Sequence, residues 1–239
     1  MNTPRASTTA LPRERPVPLA EPDVFSPLDV LAEGFHIWLS QLPAFAGVAA
    51  LLHAPLLLVP FLPPLPRPAL VVAFVAAELA IALLVKAALT KAVLDWQRQL
   101  PTEFSEYRDA LRTGPAVLVL GTRILARAAV RAFLLVLPAL NYLADNFAAV
   151  PALIVEGGST GQALLRSEQL TRGVRARVFS ICLVIWLVGA LWTLCFGVLT
   201  GAHLGKMSWM IFYVCVRALE RSFAAVLAAV AYHRLSDRY

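Results

Sequence analysis

Long apolar runs separated by short polar stretches dominate the chain from residue 45 onward. A helix needs about 20 consecutive apolar residues to cross a hydrocarbon core about 30 Å thick. Residues 45–62, 69–89, 114–138, 178–199 and 207–232 reach or approach that length, while 140–155 is shorter and holds Asp145 and Pro151. The pattern therefore predicts an all-α, polytopic membrane bundle of about six transmembrane helices.

Three stretches between these runs have helical amphipathicity. From Ser26, a capping residue followed by Pro27, positions Leu28, Leu31, Phe35, Trp38 and Leu42 fall on one face, with Asp29, Glu33, His36 and Ser40 opposite. Further on, Phe104, Tyr107 and Leu111 oppose Glu103, Glu106 and Asp109. The third, 159–173, opens on Ser159 and Gln162 in capping-box spacing and closes on Gly173. All three are expected to lie at the cytoplasmic interface. Each precedes a pair of apolar runs, which would make the chain a threefold repeat of interfacial helix and hairpin.

The tail, 1–25, carries Pro4, Pro12, Pro16, Pro18 and Pro22 without an apolar run, which predicts a disordered cytoplasmic segment and no cleaved signal peptide. Residues 26–239 are then one membrane domain. Positive charge sets the orientation: residues 91–112 and 166–177 each hold four Lys or Arg, against one each in 63–68 and 200–206. Both termini are expected in the cytoplasm of a bacterium, with the bundle in its inner membrane. Lys91, Asp95 and Arg98 are read as part of an aqueous loop, and Pro138 as the end of the third span.

Composition sharpens this picture. Apolar residues make up 59% of the 239 residues and charged residues only 15%, outside the usual range of soluble domains. The net charge of +6 does not point to nucleic acid, because the basic residues cluster at span ends and within spans. Cys182, Cys195 and Cys215 lie in apolar runs without metal-ligand spacing, and His53 has no second ligand near it in sequence. No cofactor, metal or catalytic signature is legible. Gly157 to Gly161 fits the GxSxG serine-hydrolase pattern, but a nucleophile elbow needs a strand before the serine, and capping by Ser159 accounts for the same residues.

The charges inside the runs carry the most information, because an ionisable residue in the bilayer is costly unless paired, hydrated or snorkelled. They are Lys86, Arg123, Arg127, Arg131, Arg217 and Arg221 against Glu78, Asp145 and Glu220. Arg123, Arg127 and Arg131 are spaced by four, so they share one helix face over about 12 Å. Asp145, Glu78 and Glu220 are their candidate partners, with Asp145 and Arg127 a testable pair, while Glu220 is already within helical reach of Arg217. Two readings stand: these residues line a polar interior or an interface as salt bridges and wet contacts, or the arginines form a cationic groove for an anionic phospholipid headgroup. Glu156 with Arg166 or Arg172 would tie the fourth span to the third amphipathic helix.

The run from Tyr142 to Gly173 resembles the membrane domain fused to some bacterial glycerophosphodiester phosphodiesterases, and its stand-alone relatives. The matching positions are Pro138, Pro151, Glu156, Gly157, Ala163, Leu164, Arg166, Ser167, Leu170, Arg172 and Gly173. Tyr232, Leu235 and Arg238 echo the family's closing pattern, and 28–39 its opening. The resemblance implies a helical membrane domain over residues 28–239 and no phosphodiester chemistry, which in that family resides in a separate soluble domain. The family often has an arginine where this chain has Asp145. Two functions follow as expectations: a non-enzymatic protein that scaffolds, regulates or binds membrane lipids, or a component for transport or export of an anionic or lipid substrate. Neither protein partners nor oligomeric state is legible.

Overall fold

A computed structural model describes residues 25–61, 66–100, 104–134, 136–200 and 206–238. The tail expected to be disordered, 1–25, lies outside the described residues except for Phe25. Among the described residues there are helices and no strands. The helices are α1 (Pro27–Ser40), α2 (Leu42–His53) continued by a 3-10 segment (Ala54–Phe61), α3 (Arg67–Gln97), α4 (Phe104–Arg112), α5 (Gly114–Leu134), α6 (Val136–Asp145), α7 (Ala149–Glu156), α8 (Thr160–Thr171), α9 (Arg175–Thr200) and α10 (Lys206–Ser236).

Among the described residues three stretches are long and apolar enough to cross a membrane: Leu42–Phe61, Pro68–Gln97 and Arg175–Trp192. Only 22%, 17% and 28% of their most apolar windows are buried inside the protein. Val71, Val72 and Val75 on α3 and Leu183, Leu187 and Leu191 on α9 are exposed, an apolar surface of the kind that meets lipid or a partner.

The buried core is gathered at one end. From 225 to 232 every residue of α10 is buried, which suits an apolar helix enclosed on all sides. The second half of α3 is likewise enclosed, through Val85, Leu89 and Val93, and α7 buries Ala149 to Leu153 against it. α3 and α10 run side by side in the same direction. At their C-terminal ends Glu33 of α1 joins them, accepting from Gln97 Nε2 at 2.8 Å and pairing with Arg234 at 2.8 Å. Arg177, at the start of α9, donates to the Phe25 carbonyl at the same end.

Several boundaries differ from the sequence reading. The predicted loop at Lys91, Asp95 and Arg98 is helix as far as Gln97, with Ala92, Val93, Leu94 and Asp95 buried, because this turn packs into the core instead of meeting water. Pro138 does not end α5; it sits in the first turn of α6, where a missing N–H costs nothing. The fourth apolar run is two helices, broken between Asp145 and Ala149. On α1 the buried face is Val30, Gly34 and Ile37, while Leu28 and Phe35 are exposed. Gly34 explains the shift. A Cβ there would lie 2.5 Å from Leu227 Cδ2, so its absence lets α10 approach along that stripe. The caps at Ser26 and Ser159 are as the sequence indicates, and Gly173 follows α8 with φ +82°.

Candidate functional site

Two groups of charged residues stand out, one inside the bundle and one on its flank. Inside, Glu78 faces α10. Its Oε2 is 3.3 Å from Arg217 Nε and 3.9 Å from Arg221 Nη2. Arg217 also donates to Glu220 one turn further along α10. Glu78 and Arg217 lie eleven residues into parallel helices, which puts them at the same depth. Two carboxylates and two guanidinium groups thus neutralise one another, as groups withdrawn from water require. The side chains of Glu78 and Glu220 are only 7% and 8% exposed, so neither can rely on hydration.

Further residues complete this cluster, of which the sequence drew attention only to His53. The Arg217 guanidinium lies 5.8 Å from the centroid of the Tyr213 ring, and Tyr213 stacks on Trp209 at 5.4 Å. Gly189 of α9 faces Glu220: a Cβ would come within 2.5 Å of its Oε1. His53, fully buried at the end of α2, donates Nδ1–H to the Ala49 carbonyl at 2.7 Å, and its Nε2 is buried without a partner. No local sequence pattern marks Gly189 or Tyr213, since their role depends on helices far apart in the chain.

On the flank, Arg123, Arg127 and Arg131 line one cleft of about 370 Å³ together with Tyr142, Asp145 and Glu168. α5 buries Val117, Leu120, Ile124 and Ala128 and turns the arginine face outward, so the three arginines are exposed. Arg123 donates to Thr160 Oγ1 at 2.7 Å, and Arg131 lies 3.9 Å over the Tyr142 ring. Among the described residues none of the three forms an ion pair with a carboxylate. The expected pairing of Arg127 with Asp145 is therefore not what the protein adopts. Asp145 instead pairs with Arg175 at 2.6 Å, and Glu168 lies 3.7 Å from the same guanidinium. Arg175 begins α9 next to the C-terminal end of α6, so it reaches Asp145 first. Glu78 and Glu220, the other proposed partners, are both engaged with α10.

Between these groups lies Lys86, whose Nζ donates to the Phe147 carbonyl at 2.7 Å and stands 4.7 Å over the Phe147 ring.

The residues that carried the family resemblance form a third, compact arrangement. Glu156 Oε1 accepts from Arg166 Nε and from Tyr232 Oη, both at 2.8 Å, joining α7, α8 and α10. The partner is Arg166, while Arg172 caps the end of α8. Ser167 Oγ, fully buried, donates to the Asp145 carbonyl at 2.7 Å, satisfying an oxygen left free where α6 stops. Pro151 is buried within the first turn of α7. Gly157 has φ +71° and ψ −153°, a conformation open almost only to glycine. Ser159 follows on the N-cap of α8. Its Oγ accepts from Gln162 N at 3.3 Å while Gln162 Oε1 accepts from Ser159 N at 2.8 Å. A helix, α7, precedes this turn where a nucleophile elbow needs a strand.

Cys182 is buried and Cys215 exposed, and both are free thiols. Among the described residues no group of three or more His, Cys, Asp or Glu could hold a metal ion. No protein-family model, curated protein or solved structure matches the chain.

Proposed function

We propose that the protein is a multi-pass inner-membrane protein without catalytic activity that binds anionic phospholipid and scaffolds or regulates at the membrane. The observation that carries this reading is the outward-facing row of Arg123, Arg127 and Arg131 along one cleft, without carboxylate partners, on a helix whose opposite face is packed. Guanidinium groups match phosphate oxygens bidentately, and both acidic residues in the cleft already face Arg175. The two carboxylates thus offset the arginine field only in part.

In this reading α5, the pair α6 and α7, and α10 complete six crossings with the three most apolar stretches. α1, α4 and α8 lie along the cytoplasmic interface. Reporter fusions at Arg67, Arg108, Arg172 and the C-terminus should place only Arg67 outside the cytoplasm. An outside C-terminus would refute six crossings with the N-terminus inside. Lipid binding is tested by replacing Arg123, Arg127 and Arg131 together with Gln and quantifying phospholipid that co-purifies from membranes. The anionic fraction should fall severalfold in the variant, since each lost charged contact costs about 1 kcal/mol or more. An unchanged lipid profile would sink the proposal.

A transport or export role for an anionic or lipid substrate is the second reading. The buried cluster of Glu78, Arg217, Glu220 and Arg221 beside His53 favours it, because ionisable groups inside spans often line substrate or proton paths.

A further inference from the structure

A pocket of about 240 Å³ opens on the side of the bundle between α3, α5, α6, α9 and α10. Leu79, Leu125 and Trp186, all exposed, stand at its rim, and most of its lining is apolar. Two cationic side chains nevertheless line it. Lys86 has a carbonyl and an aromatic ring as partners and, among the described residues, no carboxylate. An ammonium has three donors and a full charge, so one carbonyl leaves both incompletely met. Arg221 has its Nε buried without a hydrogen-bond partner, and its nearest carboxylate contact is the long one to Glu78. The pocket therefore combines a hydrocarbon wall with one positive charge, that of Lys86, which no carboxylate among the described residues offsets.

We propose that this pocket takes the carboxylate end of a fatty acid, with the carboxylate against Lys86 Nζ on the side of the pocket that Arg221 lines and the acyl chain leaving past Leu79, Leu125 and Trp186 into the bilayer. With α3 crossing the bilayer so that Lys86 lies within the hydrocarbon layer, depth selects a single-chain acid over a phospholipid. Lys86 lies eleven residues, about 16 Å, along α3 from its end at Gln97. The phosphate of a two-chain lipid is held in the headgroup layer, outside the hydrocarbon core, whereas a fatty acid can enter the core in its neutral form and release its proton to water as its carboxylate meets the Lys86 ammonium. The inference rests on α3 and α9 being membrane spans and is independent of the arginine cleft, which lies on another face of α5.

Trp186 supplies the readout. Protein purified from membranes in detergent is titrated with brominated stearic acid and, separately, with its methyl ester. The Trp186 signal is defined as the part of the quenching lost in Trp186→Phe. Saturable quenching by the acid is expected. Affinity should fall about tenfold or more for the ester and for Lys86→Met, as for a lost charged hydrogen bond. The triple Arg→Gln variant of α5 should bind as wild type. Equal quenching by acid and ester overturns the proposal, even if Lys86→Met fails to fold. Full affinity in Lys86→Met overturns it as well, and equal competition by phosphatidylglycerol overturns the choice of a fatty acid. Loss of binding in the triple variant would move the ligand to the arginine cleft. Recovery of the chain as a soluble protein without detergent would instead refute the membrane reading on which the inference depends.

Discussion

Replacing Glu78 with Gln should lower the unfolding free energy by about 3–5 kcal/mol, the usual cost of leaving a buried charge without its partner. Glu78 of α3 faces α10, and its Oε2 serves both Arg217 and Arg221. In the variant, two guanidinium groups would share Glu220 alone. Gln keeps the shape and a carbonyl acceptor, so the loss would report charge and not packing. Tryptophan fluorescence during denaturation in mixed micelles measures it. Adding Arg221→Gln to the Glu78→Gln protein should recover part of the loss, since two charges then face each other again. If the double variant is no more stable than the single, the cluster is not held by charge balance.

Gly34→Leu should also destabilise the protein, by about 1–3 kcal/mol, the range for overpacking a closely packed site. A Cβ at 34 would already meet Leu227 Cδ2 at 2.5 Å, and Leu227 is fully buried with little room to yield. Gly47→Leu provides the control. A Cβ at 47 meets nothing within 4 Å, so this change should be neutral or slightly stabilising through better helix propensity. Equal effects at the two positions would contradict the packing of α1 against α10. The same experiment separates an interfacial α1 that merely rests on lipid from one keyed into the bundle.

The arginines of α5 show where local patterns mislead. Their spacing correctly places them on one face, because helical geometry alone determines it. Whether that face points inward depends on the rest of the bundle. Val117, Leu120, Ile124 and Ala128 form the buried stripe, so the arginines turn outward and the interior polar cluster is built by α3 and α10 instead. Leu28 and Phe35 illustrate the same limit on α1. They are apolar and helically spaced, yet the glycine stripe at Gly34 packs more closely and takes the buried position.

What the amino-acid order determines by itself is short-range. The capping box of Ser159 and Gln162, the N-cap at Ser26, the stop at Gly173 and the pair Arg217 with Glu220 all involve residues within one or two turns. Backbone geometry therefore brings them together whatever surrounds them. The apolar lengths of 42–61, 68–97 and 175–192 belong to the same class, since rise per residue converts length directly into thickness. Only the tertiary structure decided that Asp145 meets Arg175, that Glu78 meets Arg217, 139 positions away on α10, and that Lys86 opens on a side pocket. Those choices follow from which helix faces pack together, and packing is a competition among all faces at once, with small residues such as Gly34 and Gly189 allowing the closest approach.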